Sequence, residues 1–213
     1  MSALILPPTD ASVQLVAQAL VRGELCVIPT DTVYGVAAAV AAEPVRRLYR
    51  AKGRPESRPI PVLLAGLDEV GQVAAQWPPA AAAIAACFWP GALTLVLPAR
   101  HWLPVEVTGG TGTVGLRWPA GRLVQQVIRM AGGMLAVTSA NRSGELPATT
   151  AEQALEALGG LVTYVLDGGD LAGNRASTVV AIRAGEVQVL REGPIERSEI
   201  EAVVGSRRPV DHS

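Results

Sequence analysis

The loop that contains the only lysine of the chain carries the clearest chemical signal. Lys52 opens the segment Lys-Gly-Arg-Pro at 52–55, and Arg54 and Arg58 follow it; every other basic residue is an arginine. The planar guanidinium of arginine suits bidentate contacts with phosphate or carboxylate, whereas a lysine ammonium is a compact point charge. Three cations in a loop stiffened by glycine and proline predict an anion-binding site. A solvated run of surface charge is the alternative reading.

Two further clusters lie at the ends of predicted strands, where loops of α/β proteins build sites. Segment 29–35 reads Pro-Thr-Asp-Thr-Val-Tyr-Gly and offers the Thr32 hydroxyl. Segment 138–144 contains Ser139 and Asn141, whose hydroxyl and amide groups suit phosphate oxygens or a purine edge. Each segment, taken alone, also fits a turn or a helix cap.

Two arginines within or at the end of predicted strands mark the remaining clusters. Arg117 stands between Leu116 and Trp118, and such an arginine is seldom buried without a carboxylate, either from a ligand or from a neighbouring side chain. Arg191 ends the second strand of a predicted hairpin whose first strand begins at Ser177. An edge-strand arginine in water is the alternative for Arg191.

The hydrophobic pattern predicts strands and helices in alternation, with a hairpin near the end. The chain should therefore be an α/β protein: one domain over residues 1–204, with a twisted mixed β-sheet flanked by helices and a concave ligand cleft. Residues 205–213 are predicted to be a disordered tail. The predicted helices are 10–22, 44–50, 68–76, 79–88, 121–130, 152–158 and 194–204, and the predicted strands are 25–28, 60–64, 93–97, 113–118, 135–138, 163–166, 177–183 and 186–190.

Several classes of function are disfavoured by composition. A net charge of −1 argues against a polycation that binds polyanions through its whole surface. Cys26 and Cys87 lie in apolar surroundings and read as buried thiols, and no zinc-type Cys/His spacing occurs. The glycines of 110–115 precede a strand rather than a helix, which argues against a dinucleotide site. Without a secretion signal or a long apolar run, a cytoplasmic protein with no membrane contact is expected.

Six motifs in order give the chain a resemblance to a known family. They span residues 4–193 together with their flanks, and they resemble the threonylcarbamoyl-AMP synthase family, which has a YrdC-like domain, in its short single-domain form. The motifs are PTDTVYGV at 29–36, KGRPESRPI at 52–60, WPGALTLVL at 89–97, VGLRWP at 114–119, TSANRSGE at 138–145, and STVV at 177–180 followed by REG at 191–193.

The resemblance implies a nucleotidyltransferase that makes L-threonylcarbamoyladenylate and pyrophosphate from L-threonine, bicarbonate or carbon dioxide, and ATP. Other proteins would then transfer the threonylcarbamoyl group to an adenosine of tRNA, with a weak direct tRNA contact. It implies a Mg²⁺ ion held mainly through the ATP phosphates, and no residue dedicated to a metal.

The resemblance also implies roles for individual residues. Lys52 and Arg54 would grip the triphosphate and act in catalysis, and Arg117 would hold the carboxylate of threonine. The implied ATP contacts are Lys52, Arg54, Arg58, Thr113, Ser139, Asn141 and Arg191, and the implied threonine contacts are Thr32, Arg117 and Ser177.

Departures from the family pattern concern the threonine contacts. Leu63 and Leu64 stand where some relatives carry a histidine, and Ala181 stands where many carry an aspartate. Longer relatives continue into a second C-terminal domain, which the sequence given does not include.

Three other readings remain open. In the first, an RNA-binding paralogue uses a basic surface. In the second, the chain is a carbamoyl-transferring domain of the hydrogenase-maturation type, although the expected zinc-finger cysteines are missing. In the third, it is a paralogue without synthase activity. The basic surface of the first reading would be formed by Arg46, Arg47, Arg50, Lys52, Arg54 and Arg58.

Overall fold

Ten strands and eight helices make up the described part of the computed structural model, which comprises residues 3–173, 175–183 and 185–205. The strands are β1 (Leu4–Leu6), β2 (Cys26–Ile28), β3 (Gly35–Ala38), β4 (Val62–Leu64), β5 (Leu93–Pro98), β6 (Thr113–Arg117), β7 (Met134–Ser139), β8 (Tyr164–Leu166), β9 (Thr178–Arg183) and β10 (Glu186–Arg191). The helices are α1 (Asp10–Val21), α2 (Ala42–Lys52), α3 (Val70–Val73), α4 (Pro79–Phe88), α5 (Val105–Thr108), α6 (Arg122–Met130), α7 (Ala151–Leu158) and α8 (Arg197–Gly205).

All ten strands join one mixed sheet in the order β1-β8-β2-β3-β7-β4-β6-β5-β9-β10. The pairs β1–β8, β2–β8, β4–β6 and β5–β9 are parallel, and the other five pairs are antiparallel. The predicted fold class, a mixed sheet flanked by helices, is confirmed. The predicted hairpin is also confirmed, because β9 and β10 pair in antiparallel register with Arg183 opposite Glu186.

One face of this sheet is covered by helices along most of its width. Leu93, Leu95 and Leu97 of β5 lie in the larger core cluster, which also takes in residues from α2, α4, α7 and α8. Because side chains alternate along a strand, Thr94 and Val96 point to the opposite face. The sheet therefore separates an aliphatic core from a surface that polar residues can use.

The opposite face is covered only in part. Helices α1 and α6 pack on β2, β3 and part of β7, where residues such as Val16 and Val127 meet Ile28 and Ala37 in a second core cluster. These helices reach Leu63 of β4. Beyond them the described face of β6, β5 and β9 has no helix over it, and the cavity described below lies there.

Two glycines shape the surroundings of that cavity. Gly53 ends α2 in the left-handed conformation (φ 59°), so the chain turns directly into the loop that carries Arg54. Gly35 lies so close to β7 that an added Cβ would be 2.6 Å from Cγ1 of Val137. Any larger residue at position 35 would push the two strands apart at the edge of the cavity.

Several elements differ from the sequence prediction. β1, β3 and α5 were not predicted, and β3 consists largely of glycine and alanine, which are poor strand formers; its pairing with β2 and β7 overrides that preference. The helix predicted over 68–76 shortens to α3 because Ala74 becomes extended and forms a bridge with Ala99. Gly205 is the last residue of α8, and residues 206–213 of the predicted tail lie outside the described residues.

Candidate functional site

A cavity of about 430 Å³ lies on the uncovered part of the sheet face. It receives residues from seven strands and from the loops after β2 and α2. The polar members of its lining are Thr30, Thr32, Arg54, Thr94, Thr111, Thr113, Arg117, Thr138, Ser139, Ser177, Arg183 and Arg191.

The floor of the cavity follows the alternation of side chains along the strands. Thr113, Gly115 and Arg117 of β6 all line it, as do Thr94 and Val96 of the neighbouring β5. A Cβ added at Gly115 would be 3.0 Å from Cγ2 of Thr94, so glycine keeps this part of the floor open. The pattern of period two explains how residues far apart in sequence reach one surface.

The cavity is electropositive. Four arginines line it, and no acidic residue belongs to the described lining. The pKa of Arg191 is lowered from its ordinary value, first by burial and then by repulsion from Arg117 and Arg54. An anionic ligand would relieve this repulsion, since an opposite charge favours the charged form of each guanidinium.

Arg117 is buried at one end of the cavity and already has a carboxylate partner. Its Nη2 donates to Oδ1 of Asp31 at 2.6 Å, its Nη1 donates to Oγ1 of Thr32 at 3.1 Å, and its Nε donates to the carbonyl of Gly91 at 2.9 Å. Burial lowers the pKa of Arg117, and Asp31 raises it. The sequence left open whether the carboxylate partner of this arginine belongs to a ligand or to a neighbouring side chain. The structure shows a neighbouring side chain, that of Asp31.

This pairing changes the role expected of Arg117. Three of its five N–H donors are committed within the protein, so only the remaining two could meet a ligand carboxylate. In this structure Asp31 is the ionic partner of Arg117, and the expected contact of Arg117 with the carboxylate of threonine stays a prediction. Thr32, by contrast, lies at the cavity surface as predicted.

Ser177 and Arg191 lie together at the same end. Nε and Nη2 of Arg191 donate to the carbonyl of Ser177 at 3.1 and 2.7 Å, which orients the guanidinium across the start of β9. The Ser177 hydroxyl lies 2.8 Å from Oγ1 of Thr94, a residue that is almost completely buried. A short chain of hydrogen bonds thus connects the floor of the cavity with Arg191.

Lys52 lies below the cavity and not in its lining. Its side chain is 3% exposed, and Nζ donates to the carbonyl of Ser139, to the carbonyl of Asn141 at 2.6 Å, and to Oδ1 of Asn141 at 3.1 Å. The pKa of Lys52 is lowered to about 8, first by burial and then by repulsion from Arg54, while Glu145 opposes the shift. The ammonium joins the end of α2 to the loop after β7 and holds Ser139 in place.

Three expected ATP contacts therefore lie outside the cavity lining. Lys52 is enclosed by carbonyl groups, and the side-chain amide of Asn141 is fully used, since Nδ2 donates to the carbonyls of Arg142 and Glu145 at 2.8 Å each. Arg58 is exposed, and it too does not line the cavity. Their expected contacts with ATP stay predictions, and the hydrogen bonds that hold Lys52 and Asn141 in this structure could not be read from residue spacing.

The other seven expected contacts share the cavity. They come from six separate parts of the sequence. They are Thr32, Arg54, Thr113, Arg117, Ser139, Ser177 and Arg191.

Five polar residues of the lining were not among the predicted contacts, namely Thr30, Thr94, Thr111, Thr138 and Arg183. Thr30 accepts hydrogen bonds from the amides of Thr32 and Val33, both at 3.2 Å, and its position beside Thr32 was a usable signal. Thr94 and Arg183 could have been found from the alternation of strands β5 and β9. Leu63, where some relatives were expected to have a histidine, lines the cavity with an apolar side chain.

The basic residues of the RNA-binding alternative do not form one continuous surface. On α2, Arg46, Arg47 and Arg50 all contact Glu43, and Arg46 also donates to Glu106 at 2.5 Å. Lys52 is buried and Arg54 belongs to the cavity. The two glutamates and the burial of Lys52 reduce the charge that these residues would offer to a phosphate backbone.

Among residues 3–173, 175–183 and 185–205, no group of three or more His, Cys, Asp or Glu side chains is placed to hold a metal ion. In the same part of the chain, no helix has both the length and the apolar composition needed to cross a bilayer.

Comparison with known proteins places this chain in a family. Residues 18–193 match the Sua5/YciO/YrdC family model, which is described as "Telomere recombination". The chain belongs to the Sua5/YciO/YrdC family. The resemblance predicted from the six motifs is thereby confirmed.

Two similar proteins of this family are named threonylcarbamoyl-AMP synthase. The Bacillus subtilis protein is 36% identical over 202 residues, which cover 94% of this chain, and the Pyrococcus abyssi protein is 35% identical over 197 residues, which cover 92%. In both cases the match spans 58% of the relative's own length. The chain thus corresponds to somewhat more than half of each of these relatives.

A solved structure of the Sua5/YciO/YrdC family agrees closely with the fold. The crystal structure of P. abyssi Sua5 complexed with L-threonine superposes with a TM-score of 0.92 at 33% identity, and the match covers 95% of this chain and 61% of that one. That protein binds L-threonine in the crystal.

Proposed function

We propose that this protein is a threonylcarbamoyl-AMP synthase. It would use L-threonine, bicarbonate or carbon dioxide, and ATP, and would release pyrophosphate, as a nucleotidyltransferase. The observation that carries the proposal is the single cavity in which arginines and hydroxyl groups from six segments meet without an acidic residue in the described lining. The names of the relatives and the threonine complex of P. abyssi Sua5 support the same reaction.

Threonine would occupy the part of the cavity around Thr32, Arg117 and Ser177. The two uncommitted N–H donors of Arg117 and the hydroxyl of Ser177 would hold its carboxylate, while Asp31 keeps the arginine charged and fixed. Because Leu63 and Val137 also line the cavity, they offer an apolar contact for the methyl group of threonine.

In this reaction the protein would act mainly by positioning the reactants and by stabilising negative charge. The threonine amine captures carbon dioxide to give a carbamate, whose oxygen attacks the α-phosphorus of ATP in line as pyrophosphate leaves. No protein nucleophile takes part in this scheme. Holding both reactants in one cavity can contribute roughly 7–11 kcal/mol to lowering the barrier. Arg54 and Arg191 would stabilise negative charge on the phosphates, and Ser139 would bind the nucleotide.

A Mg²⁺ ion would neutralise part of the phosphate charge when it is bound with ATP. The described lining offers hydroxyl and carbonyl oxygens but no carboxylate. This donor set fits an ion held by phosphates and water, which is common for magnesium. The protein residues around it would act on the phosphates and not on the metal.

The product would serve proteins that transfer the threonylcarbamoyl group to an adenosine of tRNA, in the cytoplasm. Direct tRNA binding has little support, because the arginines of α2 are paired with glutamates.

The decisive experiment is an incubation with ATP, Mg²⁺ and bicarbonate, with and without L-threonine, in which pyrophosphate is measured. Pyrophosphate release that depends on threonine, together with a product of the mass of threonylcarbamoyl-AMP, supports the proposal. Serine, which lacks the methyl group of threonine, and valine, which lacks its hydroxyl group, serve as control amino acids. Release of pyrophosphate at the same rate without any amino acid would refute it.

A further inference from the structure

Arg183 differs from the other three arginines of the cavity in its partners. Arg54 donates to the carbonyl of Pro59 at 3.1 Å, and Arg117 and Arg191 are held by the contacts given above. Among the described residues, the side chain of Arg183 has no hydrogen bond or ion pair, and it is exposed at the mouth of the cavity. All five of its N–H donors are therefore available to a ligand.

Strand register places Arg183 at the end of the cavity opposite Arg191. Arg191 is paired with Val179, and Arg183 follows Val179 by four residues on the same face of β9. At about 3.3 Å per residue, their backbones are roughly 13 Å apart along the strand direction. The cavity is thus longer than a single amino acid needs, and it has a cation at each end.

Two hydroxyl groups lie at the level of Arg183 on the far side of β5. Ala181 pairs with Val96 of β5, and Val96 pairs with Gly115 of β6. Arg183 lies two residues beyond Ala181, and Thr113 lies two residues beyond Gly115 in the same direction along the sheet. The two residues therefore lie at the same height on either side of β5. The Thr113 hydroxyl lies 2.9 Å from that of Thr111. We name Thr111, Thr113 and Arg183 the outer end, and Arg117, Ser177 and Arg191 the inner end.

We propose that Arg183 binds the terminal phosphates of ATP and the departing pyrophosphate at the outer end. This inference rests on the proposed function. In phosphoryl and nucleotidyl transfer, the attacking and leaving oxygens lie roughly in line with the phosphorus between them. If threonine occupies the inner end, the carbamate approaches from that side, and the pyrophosphate must lie on the other side, toward Arg183.

Charge and geometry both suit a polyphosphate at this place. A guanidinium gives two parallel hydrogen bonds to phosphate oxygens, and the two threonine hydroxyls add further donors. Glu186 lies directly across from Arg183 in the hairpin but forms no ion pair with it. The described lining includes no carboxylate that would compete for the guanidinium of Arg183.

The test compares Arg183→Ala with Arg122→Ala, which removes an exposed arginine at the start of α6 that does not line the cavity. Pyrophosphate itself is the probe, titrated calorimetrically into the wild-type protein and both variants. We expect Arg183→Ala to weaken pyrophosphate binding about tenfold, as for the loss of one charge-assisted contact. Arg122→Ala should bind like the wild type.

Steady-state kinetics provide the second readout. Arg183→Ala should raise the KM for ATP by a similar factor and leave the KM for threonine within about twofold of the wild type. Thermal unfolding of the variant should match that of the wild type, because the residue is exposed and unpaired. Arg183→Lys should restore part of the affinity, since it keeps the charge without the planar fork.

The outcomes separate the two proposals. Equal pyrophosphate affinity and equal KM for ATP in Arg183→Ala and the wild type would overturn the role of Arg183, even if the wild type makes threonine-dependent pyrophosphate. If the wild type makes none, the proposed function fails. The calorimetric comparison still decides in that case whether Arg183 is a polyphosphate ligand.

Discussion

The inner and outer ends of the cavity are built in opposite ways. At the inner end, Arg117 is 5% exposed and held by three hydrogen bonds, and Arg191 is held by two bonds to one carbonyl. At the outer end, Arg183 is exposed and has no described partner. A site fixed in advance suits a small ligand that must be recognised by shape, whereas a free arginine can follow a flexible polyphosphate chain.

The two ends should also respond differently to substitution: changes at the inner end affect the stability of the fold, and changes at the outer end affect ligand binding. At the inner end, charged groups are part of the folded structure, so removing one leaves a partner unpaired in a buried place. At the outer end, removal of Arg183 should change ligand affinity alone. The following variants test this contrast from the largest expected effect to the smallest.

Asp31→Ala should have the largest effect, because it leaves the guanidinium of Arg117 buried without its carboxylate. Breaking a buried ion pair on one side costs about 3–5 kcal/mol in the free energy of unfolding. Urea denaturation at neutral pH measures this cost. The matched control is Glu24→Ala, which removes the partner of Arg22 in an exposed pair and should cost about 1 kcal/mol or less. A loss below that value for Asp31→Ala would show that the inner end is not held by this pair.

Lys52→Met should have an intermediate effect, since the carbonyls of Ser139 and Asn141 lose a buried donor. We expect a loss of about 1–3 kcal/mol in the free energy of unfolding at pH 7 and a lower rate of pyrophosphate formation. Lys52→Arg should not restore the rate, because a planar fork does not fit the positions that the ammonium occupies.

The pH dependence of the same residue gives an independent test. The pKa of Lys52 is lowered to about 8 by burial, whereas an unfolded lysine keeps its proton to about pH 10.5. Between these values the unfolded chain binds more protons than the folded one, so the contribution of Lys52 to the free energy of unfolding rises with pH, by at most about 1.4 kcal/mol per pH unit.

This rise should be absent in Lys52→Met, when urea denaturation of both proteins is followed from pH 7.5 to 10.5. The catalytic rate should fall over the same range in the wild type, because a neutral amine has two N–H donors for three acceptors. Parallel stability curves for the two proteins would contradict the burial of Lys52 as an ammonium group.

Thr94→Val should have the smallest effect. The change keeps the shape of the side chain but removes the hydrogen bond to the Ser177 hydroxyl. We expect the KM for threonine to rise about fivefold, as for a bond worth about 1 kcal/mol, with little change in the KM for ATP. Thr111→Val at the outer end is the matched control, and it should raise the KM for ATP with little change in the KM for threonine. Equal effects of both variants on both substrates would remove the distinction between the two ends.

Sequence patterns predicted most of the fold but not the order of its strands. Strands such as β5 and β6 and helices such as α4 were identified because their apolar residues recur with a clear period or lie between glycine and proline. β3 was missed because glycine and alanine give no such signal, and its hydrogen bonds to two neighbouring strands decide its conformation.

The residues themselves determined the chemistry that this chain can offer: a surplus of arginine and hydroxyl groups at strand ends, with cysteine and histidine nearly absent. The sequence therefore predicted an anion-binding site, and seven of its predicted members line one cavity. Only the tertiary structure decided that Lys52 points into a ring of carbonyl groups, that Asp31 pairs with Arg117, and that Arg183 faces the cavity. These choices depend on distances between segments far apart in the chain, and local residue preference carries no information about them.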